Sequence, residues 1–185
     1  MTRPAKPELN EIATTGDGRD ITRGYLDPNL LQQPLDGVLQ LRGAGDYLIY
    51  RDLLRDDQIG STFQQRRLAV ISKEWGVDAG GERPLDQQAA DFVRDQLNNL
   101  GWDRITDRML FGVFYGYAVA ECIWQRQGNR IGLADIKVRE RRRFGFDGAG
   151  RLRLKTMHNP QGELLPERKF WAFSTGADND DEPYG

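Results

Sequence analysis

The chain has one cysteine and one histidine among its 185 residues. A lone Cys122 excludes an internal disulfide and any zinc site built on several thiolates. His158 precedes Asn159-Pro160, a turn sequence, and reads as a loop residue rather than a general base. A nucleophile–base pair would therefore need a serine with a carboxylate, and no Gly-x-Ser-x-Gly elbow exists. No apolar run approaches the roughly 18–20 residues that a membrane helix requires. The opening MTRPAKPELNEI lacks the apolar core of a signal peptide, which argues against secretion. The glycines of TTGDGRD, Thr14–Asp20, have neither a following Lys-Ser/Thr nor a preceding apolar strand, so they read as a turn and not a phosphate loop. No catalytic constellation emerges, and the expectation is a non-enzyme with no cofactor.

What is present suits one domain with a modest core: 38% hydrophobic and 29% charged residues. The pattern divides into an extended arm at 1–28, an α+β domain at 29–175 and an acidic loop at 176–185. Net charge is −2, from 26 basic and 28 acidic residues, but it is unevenly spread. Lys137, Arg139, Arg141, Arg142 and Arg143 crowd together with Glu140 alone against them. Asp178, Asp180, Asp181 and Glu182 crowd near the other end. Opposite local fields suit a subunit whose surfaces meet different partners, and equally suit two solvated segments. The acidic cluster lacks the glycine and downstream glutamate of a calcium loop.

Helices are expected in the first half. Segments 46–55 and 57–73 carry apolar stripes, and in the second Arg66 and Arg67 can cover apolar surface while their heads stay wet. After an extended piece at 75–77 and the turn Gly80-Gly81, Pro84 opens a further helix. Leu85, Ala89, Phe92, Val93, Leu97 and Leu100 should share its face, and Gly101 should cap it. Another helix, 103–115, should turn Ile105, Met109, Leu110 and Val113 inward.

The period then changes. Residues 117–125 are apolar on both faces, as in a strand covered on each side, and Cys122 reads there as a small core residue. Gly128-Asn129 signals a hairpin to a return strand at 131–138. Glu121, inside the apolar strand, reads as half of a structural ion pair with an arginine such as Arg66 or Arg67.

A second hairpin is set by the loop Gly148-Ala149-Gly150. It places Phe146 opposite Leu152, Phe144 opposite Leu154, Gly145 opposite Arg153 and Arg143 opposite Lys155. One face is then apolar and the other basic. Like charges directly across a sheet cost roughly 0.2–1 kcal/mol per pair. Solvation can carry that cost, and so can an anionic partner, either nucleic acid or a neighbouring subunit's acidic loop. A strand at 169–173 should finish the sheet.

FGVFYGYAVAECIW, IKVRERRRFGFDGAGRLRL and RKFWAFSTGADNDDEPYG, with NEIATTGDGRDITRGYLDP and LLRDDQIGSTFQQRRLAVISKEW upstream, together resemble the N-terminal part of the Mu-like phage portal protein family. The resemblance implies a structural subunit of a twelve-membered homo-oligomeric ring at one capsid vertex. Double-stranded DNA is pumped through that ring by the terminase motor and later leaves through the tail. It places the protein in the virion, and in the host cytoplasm during assembly, with capsid and terminase as partners and no membrane. It further implies that 46–173 belongs to the α+β wing and that the chain is an N-terminal fragment, without the stem and clip of longer members.

The candidate contact residues, for DNA or a neighbouring subunit, are Arg139, Arg141, Arg143, Arg153 and Lys155. Asp178, Asp180, Asp181 and Glu182 form the candidate acidic counterpart. The alternative is a non-specific nucleic-acid-binding or protein-interaction module acting through 137–155. Phe144 and Phe146 fall on the face opposite the arginines, which disfavours a base-stacking platform.

Overall fold

A computed structural model of the chain describes residues 37–42, 47–180 and 182–185. The arm expected at 1–28 and the acidic Asp181 lie outside them. Helices fill the first half and antiparallel strands the second, as the α+β reading requires.

The helices are α1 (Gly37–Arg42), α2 (Leu48–Leu53), α3 (Asp57–Ile71), α4 (Pro84–Leu100), α5 (Trp102–Met109) and α6 (Phe111–Tyr115). Asp56 starts α3 because its carboxylate accepts the otherwise orphaned N–H groups of Gln58 and Ile59, each at 3.0 Å. Pro84 opens α4 and Gly101, at φ +68°, closes it, as expected. The buried face of α4 is rotated from the expected one. Ala90 and Leu100 are buried and Phe92 and Leu97 half-buried, whereas Leu85, Ala89 and Val93 face outward. The apolar spacing there allowed two overlapping stripes, and packing on the sheet selected one.

The single helix expected at 103–115 is broken at Leu110 into α5 and α6. Ile105 and Met109 point inward, but Val113, beyond the break, is exposed. Gly112 explains the close approach that follows. A Cβ there would lie 2.7 Å from the Phe173 ring and 3.1 Å from the Ala118 nitrogen. Gly116, at φ +83°, turns the chain into the sheet.

The strands are β1 (Tyr117–Gln127), β2 (Arg130–Arg139), β3 (Phe144–Phe146), β4 (Leu152–Leu154), β5 (Glu163–Leu164) and β6 (Phe170–Ser174). They form two antiparallel sheets, ordered β2-β1-β6 and β3-β4-β5. The second hairpin keeps the expected register: Phe144 faces Leu154, Gly145 faces Arg153 and Phe146 faces Leu152. The strand expected to finish the sheet does so beside β1, with Tyr117 opposite Ser174 and Glu121 opposite Phe170.

Strand β1 is the centre of the molecule. Its alternating side chains enter two different cores. Ala118 and Ala120 pack with Leu100, Ile105, Met109 and Ile136 on the α4/α5 side. Tyr117 and Val119 pack with Phe144 and Phe146 on the other. This double covering holds for Tyr117–Ala120; from Glu121 onward the strand grows progressively exposed, and Cys122 is only half-buried.

Candidate interaction surfaces

The basic residues singled out from the sequence lie at the far end of β2 and along the second hairpin, and most of them meet partners inside the chain. Arg139 donates Nε to Glu121 Oε2 at 2.9 Å, with Nη2 on the same oxygen. Lys169, at the head of β6, approaches Glu121 Oε1 at 3.4 Å and donates to the Cys122 carbonyl at 2.8 Å. Glu121 therefore ties the three strands of the first sheet together. The Arg139 hydrogen bond, outweighing partial burial and aided by Lys169, holds its carboxyl below the usual range. The expected ion pair thus exists with different partners. Arg67 instead meets Asp107 at 3.1 Å, and Arg66 is exposed.

Arg153 and Arg151 converge on Asp147, which is fully buried. Its Oδ2 accepts Arg153 Nε at 2.8 Å and Arg151 Nε at 2.9 Å, and its Oδ1 accepts the backbone N–H groups of Ala149 and Arg151 at 3.0 Å. Burial pushes this carboxyl up, but the Arg153 hydrogen bond and the two backbone donors outweigh it and hold it below the usual range. One carboxylate thus orders the Gly148–Gly150 turn and offsets one of the two guanidinium charges, Arg151 and Arg153, that meet on it. Arg153 is only 12% exposed, so the face opposite Phe144 and Phe146 is not an open row of charge.

Arg141, Arg142 and Arg143 form a single 3-10 turn between β2 and β3. The Arg141 guanidinium lies 3.6 Å from the Tyr115 ring centroid, a cation–π contact, while its carbonyl accepts the Tyr117 hydroxyl at 3.0 Å. Arg142 approaches Glu140 at 3.5 Å and is exposed. Arg143 is exposed, and its carbonyl takes the Lys155 N–H at 2.7 Å; Lys155 itself is half-buried.

Asp178, Asp180 and Glu182 line a shallow polar depression of about 410 Å³ with Ser174–Ala177 and Pro183. Among the described residues no three His, Cys, Asp or Glu side chains are grouped to hold a metal ion. Beyond this acidic stretch the chain folds back. Tyr184 enters the second core beside Tyr117 and Phe146, at ring distances of 4.8 and 5.2 Å. Gly185 N–H reaches the Thr175 carbonyl at 2.8 Å.

An apolar groove of about 500 Å³ lies between α3 and α6, lined by Ile59, Phe63, Val70, Leu110, Val113 and Phe114, with Arg66 and Arg67 among the remaining lining residues. Helix α3 has no buried residue. It is held by Phe63, whose ring sits 5.3 Å from Phe111, and by Arg67, whose guanidinium lies 4.3 Å from the centre of that ring. The head of Arg67 is therefore mostly covered, at 16% exposure, rather than wet.

Sequence reasoning missed Asp147 and Tyr184. An aspartate directly before Gly-Ala-Gly was the available signal for the first. Nothing local marks the second.

Among the described residues no helix is long and apolar enough to cross a membrane. A family model described as the portal protein of Mu bacteriophage matches residues 47–185. No individually curated protein matches the chain.

Proposed function

The chain belongs to the Mu bacteriophage portal protein family, and from that premise we propose that it is a subunit of a portal ring through which double-stranded DNA enters and leaves a phage capsid. Membership makes it a structural component of the virion rather than an enzyme. In this reading copies of the chain assemble head to tail, contact capsid and terminase proteins, and surround the DNA. The observation that carries it is the match, which spans every element from α2 to Tyr184.

The contact between neighbours is assigned to Arg141, Arg143 and Lys155 on one side and to Asp178, Asp180, Asp181 and Glu182 on the other. Opposite charge on two separate patches supports a head-to-tail contact, because such contacts join unlike surfaces. Arg139 and Arg153 serve it indirectly, since Glu121 and Asp147 already neutralise them and fix the strands that present the turn. The same internal pairing weighs against the nucleic-acid module, which needs free cations along one groove.

Electron microscopy of the purified chain at low salt tests the reading, alone and mixed with a longer family member. Annular particles that are lost in the Arg141→Glu/Arg143→Glu double variant support it. A chain that neither forms rings nor enters those of the longer protein overturns it.

A further inference from the structure

The connection between β4 and β5 carries the most exposed large apolar side chain among the described residues, Met157 at 98%. The loop beneath it is closed by its own hydrogen bonds. The Thr156 N–H donates to the Asn159 carbonyl at 3.1 Å, the Asn159 N–H to Thr156 Oγ1 at 3.0 Å, and the Gly162 N–H to the Asn159 carbonyl at 3.1 Å. Thr156 Oγ1 in turn donates to Glu163 Oε1 at 2.9 Å. Met157 therefore stands out as a knob on a preorganised base, and little backbone ordering remains to be done when it binds.

The groove between α3 and α6 is its converse, about 500 Å³ lined by Ile59, Phe63, Val70, Val113 and Phe114. Arg66 is exposed on its wall and makes no ion pair among the described residues. Knob and groove belong to opposite faces of β1. Helix α3 leans on α5 through Arg67 and Asp107, and α5 packs beneath Ala118 and Ala120. Strand β4 lies on the other face, where Leu152 and Leu154 pack beside Tyr117 and Val119. Closed by its own bonds, the loop after β4 cannot cross to the groove of its own chain. A contact between the two joins unlike surfaces of two copies.

We propose that Met157 of one copy seats in the α3/α6 groove of the next, as the apolar centre of the head-to-tail contact. The inference rests on the portal reading and deepens it, because such contacts are built as an apolar centre within a polar rim. Both halves of the rim adjoin their parts of the centre. Lys155 stands two residues before the knob, and its N–H is held by the Arg143 carbonyl. Asp178, Asp180 and Glu182 follow Thr175, whose hydroxyl and N–H bond the carbonyls of Gly112, within α6, and Gly116, at its end. The acidic stretch thus leaves from the helix that lines the groove. Seating the knob brings basic rim to acidic rim, and Glu163, exposed at the end of the loop, is the carboxylate for Arg66. Methionine suits such a site. Its unbranched side chain adapts to an irregular gap, and its sulfur packs favourably on rings such as Phe63 and Phe114. Each copy offers one knob and one groove, so the contact passes from copy to copy, as a ring requires.

Crosslinking tests the seating. Met157→Cys and Val113→Cys, each combined with Cys122→Ala, are mixed at high concentration and treated with a short bismaleimide. The mixture should give crosslinked pairs, each variant alone none, and a chain carrying both cysteines a ladder of multiples of its mass. Met157→Ala should weaken self-association about 10–100-fold, the effect of withdrawing one buried methionine side chain. The unaltered chain gives a reading free of any variant: peroxide should convert Met157 to its sulfoxide more slowly as concentration rises. No mixed crosslink, association indifferent to Met157→Ala, or Met157 oxidation equally fast at every concentration would overturn the proposal. So would a Val113→Cys thiol shielded from alkylation in the dilute monomer, because the chain would then fill its own groove. Rings that form without the crosslink overturn this contact and leave the portal reading standing. Crosslinked ladders that never close into rings support the contact and count against the portal reading.

Discussion

The hydroxyl groups of Tyr47 and Tyr184 lie 2.9 Å apart, a hydrogen bond between residues 137 positions apart in the chain. Tyr117 stands beside both, its ring 6.1 Å from that of Tyr47 and 4.8 Å from that of Tyr184. Burial pushes the Tyr47 and Tyr117 hydroxyls above the ordinary phenol range. The cluster joins the entry to α2, the central strand and the last residues of the chain.

Tyr184→Ala should therefore destabilise the fold by about 2–3 kcal/mol, less than a fully buried aromatic because Tyr184 is half-buried. Tyr184→Phe keeps the ring packing and should cost about 1 kcal/mol, the worth of one neutral hydrogen bond. Urea denaturation of both variants measures the difference. Equal losses would mean that the hydroxyl, not the ring, holds the tail.

Asp147→Ala should cost about 3–5 kcal/mol, because it leaves the mostly covered Arg153 without its counter-ion and frees the turn donors. The carboxyls of Asp147 and Glu121 are both held below their ordinary values in the folded chain. The unfolded chain then binds more protons, so stability rises with pH across that interval. Their contribution is full above the unfolded value of about 4. It is lost as pH falls through the folded values. Urea midpoints measured from neutral pH into acid should fall less steeply for Asp147→Asn than for the wild type. An unchanged slope would remove Asp147 from the acid response.

Gly116→Ala meets two obstacles. The residue sits at φ +83°, and an added Cβ would collide with the Gly185 carbonyl oxygen and lie 2.7 Å from the Tyr184 ring. Gly128 has φ +60° with nothing within 4 Å of its Cβ position, so Gly128→Ala isolates the backbone strain, about 1–2 kcal/mol. Gly116→Ala should cost more than Gly128→Ala, and thermal denaturation of the two variants should rank them so. The reverse order would show that the tail yields without resistance.

The local grammar was legible in the sequence wherever one signal dominated. Pro84 and Gly101 bracketed α4, Gly128-Asn129 fixed the first hairpin, and Gly148–Gly150 fixed the register of the second. What escaped were contacts decided by packing. Which stripe of α4 turns inward depends on the sheet beneath it. Glu121 chose Arg139 and Lys169 over Arg66 and Arg67 because strand pairing places them on flanking strands. The hairpin's basic face looked open because Asp147 belongs, by sequence, to its turn; only folding brings that carboxylate under Arg153.

The position of β1 also sets the timing of its own protection. Its first partner, β2, follows after a two-residue turn, but Tyr117 meets Ser174 only when the chain has grown 57 residues longer. At about 5–20 residues per second, that interval lasts roughly 3–11 s on a ribosome. Throughout it the most apolar strand of the protein has one flank unpaired. The β1–β2 hairpin and the helix pair α4/α5, both complete earlier, are its shelter during synthesis, and β6 is the late clasp that ends the exposure.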